Sequence, residues 1–119
     1  MKDVSKIENS KKGTAGELLA VKFLKSKHYK ILQVNYKNSV GEIDIIAQHK
    51  KQIVFVEVKA RETLQYGRPV EAVDERKQNK IKTVAEMFLS QNKKTLVDVR
   101  FDVIEVLGDK ILSHIVDAF

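Results

Sequence analysis

The chain is predicted to be α/β, a central mixed β-sheet flanked by helices in the order α-β-β-β-α-β-β. Two segments repeat apolar residues at helical spacing, one through Ala15, Leu19, Ala20, Phe23 and Leu24, the other through Val73, Ile81, Val84, Ala85 and Phe88. Five others alternate, or run apolar, over strand lengths. Each helix has a single apolar stripe and so needs a sheet to bury it.

The first helix is expected from Thr14 to near Lys27, and residues 29–36 read as a strand through Ile31, Leu32 and Val34. Residues 43–47 and 53–61 form a hairpin around His49, Lys50, Lys51 and Gln52. Gly67 and Pro69 then punctuate the irregular stretch TLQYGRP. The second helix begins between Val70 and Glu75 and runs to near Ser90. Residues 97–107 and 110–116 close the chain as strands, turning at Gly108 and Asp109, a pair suited to a tight hairpin.

With 119 residues and 43% apolar content, the chain suits one domain over residues 13–119, preceded by a flexible basic arm over residues 1–12. There is no cysteine, which excludes disulfides and thiolate metal sites. The opening MKDVSKIENSKKGTAG lacks the apolar core of a secretory signal, and no apolar run approaches the ~20 residues that span a bilayer. A cytoplasmic protein with no membrane association is expected. The formal charge is +6, with lysines crowded at positions 2, 6, 11, 12, 22, 25, 27 and 30. Such a surface suits a polyanion such as nucleic acid, and equally suits plain solvation.

The stretch GEIDIIAQHKKQIVFVEVKAR, residues 41–61, places charge among apolar strand residues. In its second strand Val54, Val56, Val58 and Ala60 point one way, and Ile53, Phe55, Glu57, Lys59 and Arg61 the other. A turn of two or four residues sets Asp44 directly across from Glu57, with Cβ atoms ~4.5 to 5.5 Å apart; an odd turn breaks that pairing. Converging carboxylates raise the pKa of one of them or demand a cation. Mg²⁺, or Mn²⁺, suits two carboxylates, a carbonyl and retained waters. That layout serves metal-assisted attack of water on a phosphodiester, with Lys59 orienting the water or the phosphate. The competing reading is a cross-strand ion pair of Lys59 with Asp44 or Glu57. Acid-x-Lys itself is weak, being expected about twice by chance here. It occurs at Glu57 to Lys59 and again at Glu75 to Lys77, and only the first lies on an apolar strand opposite another acid.

Gly13 to Glu17, Asn35, GEIDIIA, VFVEVKAR, the YG at 66–67, the EAV at 71–73, Lys77, RFDV at 100–103 and DAF at 117–119 together resemble the YraN-like family of small uncharacterised bacterial proteins. That family is similar in fold to restriction endonucleases and archaeal Holliday-junction resolvases. The resemblance implies a site of Glu17, Asp44, Glu57 and Lys59. In it Asp44, Glu57 and the Val58 carbonyl hold Mg²⁺, Lys59 attends the water, and Glu17 assists through a water or a second ion. Relatives often carry Asp-Gly at the hairpin turn, where this chain has His49, Lys50 and Lys51, so the turn type stays open.

Several residues have two readings. Glu17 follows Thr14 by three positions, the capping-box spacing, which local logic favours. Lys77 falls on the apolar stripe four residues before Ile81; it either snorkels past the core edge or reaches a phosphate. Arg61 extends the charged face and meets phosphate or solvent. Asp102 is left without a role, and His28, His49 and His114 read as surface residues without metal-ligand spacing.

Two functions follow. One is a Mg²⁺-dependent endonuclease acting on DNA, branched or damaged DNA in repair or recombination included, with RNA as an alternative. The other is a non-catalytic nucleic-acid-binding module on the same fold. Monomer and homodimer are both compatible with the sequence.

Overall fold

Apolar residues on both faces of the strands demand a cover on each side, and the computed structural model supplies one helix per face. Residues 14–62, 73–94 and 97–119 are described. The expected arm, the TLQYGRP stretch and the early start of the second helix at 70–72 lie outside the described residues.

Helix α1 (Ala15–Ser26) starts at Thr14, whose extended backbone and hydroxyl cap it. Thr14 Oγ1 accepts from the Glu17 amide at 3.0 Å, and Glu17 Oε1 accepts from the Thr14 amide at 3.0 Å. Strands β1 (Lys30–Lys37), β2 (Glu42–His49) and β3 (Gln52–Arg61) follow. Helix α2 (Glu75–Gln91) is capped by Asp74, which accepts from the Lys77 amide, and β4 (Asp98–Leu107) and β5 (Lys110–Ile115) end the fold. The expected element order is therefore observed. The sheet runs β1-β2-β3-β4-β5, antiparallel except for the parallel β3–β4 pair that α2 connects. Among the described residues no helix is long and apolar enough to cross a membrane.

Among the described residues two clusters make the core. Ala20, Val21 and Leu24 of α1 pack on Ile45, Val54, Val56 and Ile104. Ile81, Val84 and Phe88 of α2 pack on Ile46, Ile53 and Phe55 across the sheet. Alternation along β3 thus feeds both layers.

The approach of α1 to the sheet depends on Gly16, where a β-carbon would lie 3.1 Å from Ala60 Cβ. Gly16→Val is expected to push α1 off β3 and lower stability by about 1–3 kcal/mol. A fall in the urea midpoint at unchanged slope would be the sign of it.

The hairpin turn has two residues, since His49 pairs with Gln52, and only Lys50, at φ 56°, takes a left-handed conformation there. The even length fixes the register that opposes Asp44 to Glu57. A second left-handed residue, Asn35 at φ 54°, interrupts β1 opposite Asp44. Val34 and Ile45 pair and pack in the α1 layer, yet Tyr36 and Ile43 pair and pack in the α2 layer. Strict alternation would keep all four on one face, so the strand pair changes faces at Asn35 and Asp44. Asparagine tolerates the left-handed region far better than a β-branched residue does.

Candidate functional site

The cleft forms where that change of faces meets the start of α2. Its volume is about 460 Å³, and it is lined by residues 37–42, Asp44, Glu57, Lys77, Lys80 and Ile81. Pairing of β2 with β3 runs from His49 to Ile45; beyond it the Val58 amide donates to Asp44 Oδ2 at 2.8 Å. The strand amide thereby anchors the carboxylate beside its neighbour.

Burial, a hydrogen bond with Glu57 and the Glu57 charge raise the Asp44 carboxyl to about 9, so the pair holds one proton at neutral pH, favoured on Asp44. Burial alone would raise Glu57 as well. The hydrogen bond from Asp44, with Lys77 and Lys59 nearby, outweighs burial and holds Glu57 below its ordinary value. Lys77 Nζ lies 3.2 Å from Glu57 Oε2. Burial and a hydrogen bond with Lys77 lower the Lys59 ammonium. Lys77 moves the other way, because its bonds to Lys59 and Glu57 outweigh burial. Lys59 is thus the amine of the pair that gives up its proton more readily, and Lys77 the one that keeps its charge.

The expected residues are distributed as follows. Asp44, Glu57 and Lys77 meet in the cleft, and Lys59 joins them through Lys77. Lys77 is held by Glu57 while its side chain stays 39% exposed. Val58 touches the site through its amide. Glu17 is buried in its capping box and reaches Asp44 through its charge, the smallest of the influences raising that carboxyl. Arg61 lies outside the cleft lining, and its carbonyl accepts from the Gly108 amide at 2.8 Å. Among the described residues no three His, Cys, Asp or Glu side chains converge where they could hold a metal ion. The carboxylates of the cleft centre are therefore the Asp44–Glu57 pair.

Sequence reasoning passed over Lys37, Asn38 and Lys80 on the cleft wall, whose only signal was the turn-forming NSVG before Glu42. It also misplaced one histidine. His114 is not a surface residue but a partner of Asp102, whose side chain is fully buried, whereas His49 stays at the surface and stacks on Tyr29. Asp102 accepts from Arg100 Nε and Nη2, each at 2.9 Å, and from the Asp117 amide at 3.0 Å, with His114 Nε2 at 2.7 Å. Arg100 also donates to the Tyr29 hydroxyl, and the Tyr29 ring stacks on His49 at 4.0 Å. A buried carboxylate needs such partners, and they were dispersed in sequence.

The fold and site define a mixed α/β domain with a charged cleft built from a β-hairpin and the start of a crossover helix. The chain belongs to the uncharacterised protein family UPF0102, whose model it matches over residues 16–106. It is 46% identical to a UPF0102 protein of Clostridioides difficile, over 95% of this chain and 100% of that one. A UPF0102 protein of Alkaliphilus oremlandii is 50% identical over 93% of this chain and 99% of its own length. Another, from Acetivibrio thermocellus, is 50% identical over 82% and 76%. The family resemblance expected from the motifs is borne out.

Proposed function

We propose that the chain is a metal-dependent endonuclease that hydrolyses phosphodiester bonds in DNA, including branched or damaged DNA, on a restriction-endonuclease-like fold. The observation that carries this reading is the convergence of Asp44, Glu57 and Lys77 in one cleft, with Lys77 Nζ 3.2 Å from Glu57 Oε2. Catalytic centres are where such mutually perturbed groups concentrate.

The residues fit a hard divalent ion. Two adjacent carboxylates now hold a proton between them and a lysine against one, an arrangement that a cation can replace. Asp44, Glu57 and the Val58 carbonyl would hold Mg²⁺ or Mn²⁺. When bound, such an ion lowers the pKa of a coordinated water and offsets charge building on the phosphate. Asp44 is kept in place by the Val58 amide. Lys59, on the same strand as Glu57, orients the attacking water. Lys77 keeps its charge and, moving off Glu57, meets the phosphate. Glu17 adds negative charge behind Asp44, favouring a cation there.

Purified protein incubated with plasmid, single-stranded, flap and four-way-junction DNA tests the reading. Nicking is expected with Mg²⁺ or Mn²⁺ and none with chelator. One observation favours the binding-module alternative: the proton and Lys77 already satisfy the carboxylates without any ion. Binding without cutting in every metal would establish that alternative.

A further inference from the structure

We propose that the cleft carries a second phosphate subsite, formed by Lys80 and Lys37 beside the Asn38–Gly41 turn, which holds the DNA backbone phosphate next to the one at Asp44 and Glu57. It rests on the endonuclease reading and adds where the substrate strand runs.

Lys77 and Lys80 stand three residues apart on α2 and so share a helix face, with Cβ atoms about 5–6 Å apart. Both line the cleft. Lys77 is tied to Glu57, whereas among the described residues no ion pair holds Lys80; Lys37 stands across from Glu42 in the β1–β2 register without an ion pair to it. Glu42, on the same wall, has an interaction of its own. A cleft of about 460 Å³ is larger than one phosphate requires.

The turn that faces Lys80 is built to receive it. Asn38 Oδ1 accepts from the Val40 amide at 2.9 Å and the Gly41 amide at 3.3 Å, and the Asn38 amide donates to the Gly41 carbonyl at 3.0 Å. This fixes Gly41 under the Lys80 stem. A β-carbon at 41 would lie 3.2 Å from Lys80 Cε and 3.4 Å from Val84 Cγ2. The approach to Val84 is an ordinary contact, so a side chain at 41 would be relieved by shifting the end of Lys80 a few tenths of an ångström off the wall. An aliphatic stem held against backbone leaves less rotamer entropy to lose when the ammonium meets an anion. Among the described residues, moreover, the buried donor Asn38 Nδ2 has no partner. Such a donor is unfavourable as it stands, and an anionic oxygen beside it would relieve it.

The test measures affinity for a fluorescent duplex oligonucleotide in chelator, where it stays uncut, across a salt series, together with plasmid nicking in Mg²⁺. Lys80→Met is expected to weaken binding about fivefold at physiological salt and to reduce the slope of log K against log salt by about 1. Gly41→Ala removes no charge, yet it is expected to weaken binding in the same direction by displacing the lysine. Lys110→Met, an equal charge change at the exposed first residue of β5, should match the parent. In nicking, the KM of Lys80→Met rises while kcat holds, because the phosphate it binds is not the one that reacts. If the parent binds and nicks but Lys80→Met and Gly41→Ala behave as Lys110→Met does, the subsite is wrong and the endonuclease reading stands. If the parent binds, never nicks, and both variants bind more weakly, the subsite stands and hydrolysis falls. A parent that neither binds nor nicks overturns both. Melting curves identify a misfolded Gly41→Ala, in which case Lys80→Met decides alone.

Discussion

Asp44→Asn is expected to abolish metal-dependent nicking and, in the same protein, to raise the melting temperature at neutral pH. The two effects come from one carboxyl. Its folded pKa is about 9 against an ordinary 3.8. Between those values the folded chain keeps a proton that the unfolded chain releases, so stability falls as pH rises through that window. Below it the contribution is fully present. Asparagine has no proton to lose, so the variant removes this penalty and flattens the pH dependence of melting from about 4 to about 9. Nicking, by contrast, needs the negative charge that asparagine lacks. Its rate is expected to drop by about a thousandfold, ~4 kcal/mol of barrier. Glu57→Gln should lose nicking too but show no such gain, because Glu57 is the ionised partner. Parental nicking by Asp44→Asn would remove the acid pair from the mechanism, and an unchanged melting profile would show that no proton is shared.

Arg100→Ala is expected to lower stability by about 3–5 kcal/mol, the range for stripping a buried charge of its partner. Asp102 has no exposed surface, and Arg100 supplies two of its hydrogen bonds. Burial would raise this carboxyl, but the bonds from His114, Arg100 and the Asp117 amide outweigh it and hold it below its ordinary value. A depressed carboxyl stabilises the fold above its unfolded pKa, and that support is lost as pH falls through the folded one. Chemical denaturation measures the loss directly. Replacing both partners, as Arg100→Met with Asp102→Leu, should recover much of it, because two apolar groups leave no buried charge behind. A single Arg100→Ala at parental stability would mean that His114 and the Asp117 amide suffice.

What was legible in the sequence followed from periodicity. The stripe of Ile81, Val84, Ala85 and Phe88 and the alternation from Ile53 to Arg61 led to the right elements in the right order, and the even turn led to the opposition of Asp44 and Glu57. Thr14 and Glu17 announced their capping box. Contacts between distant segments were not legible. Nothing local tells Lys77 that Glu57 lies 3.2 Å away, or His114 that Asp102 is within hydrogen-bonding reach. Asn35 is the subtler miss. Its backbone reversal overrides the alternation that any pattern reading assumes, and an isolated asparagine within a strand does not reveal it.

That reversal divides the sheet into two territories with separate rules. From Ile45 back to His49, side-chain volume against the two helices decides what fits. Past Asn35 the strand pair hands its side chains to the other faces, and Asp44 stands at that change, held by the Val58 amide. Ile81 and Val84 belong to both territories, packing in the α2 layer while bordering the cleft, so a change of volume there is felt by the interior and the rim together.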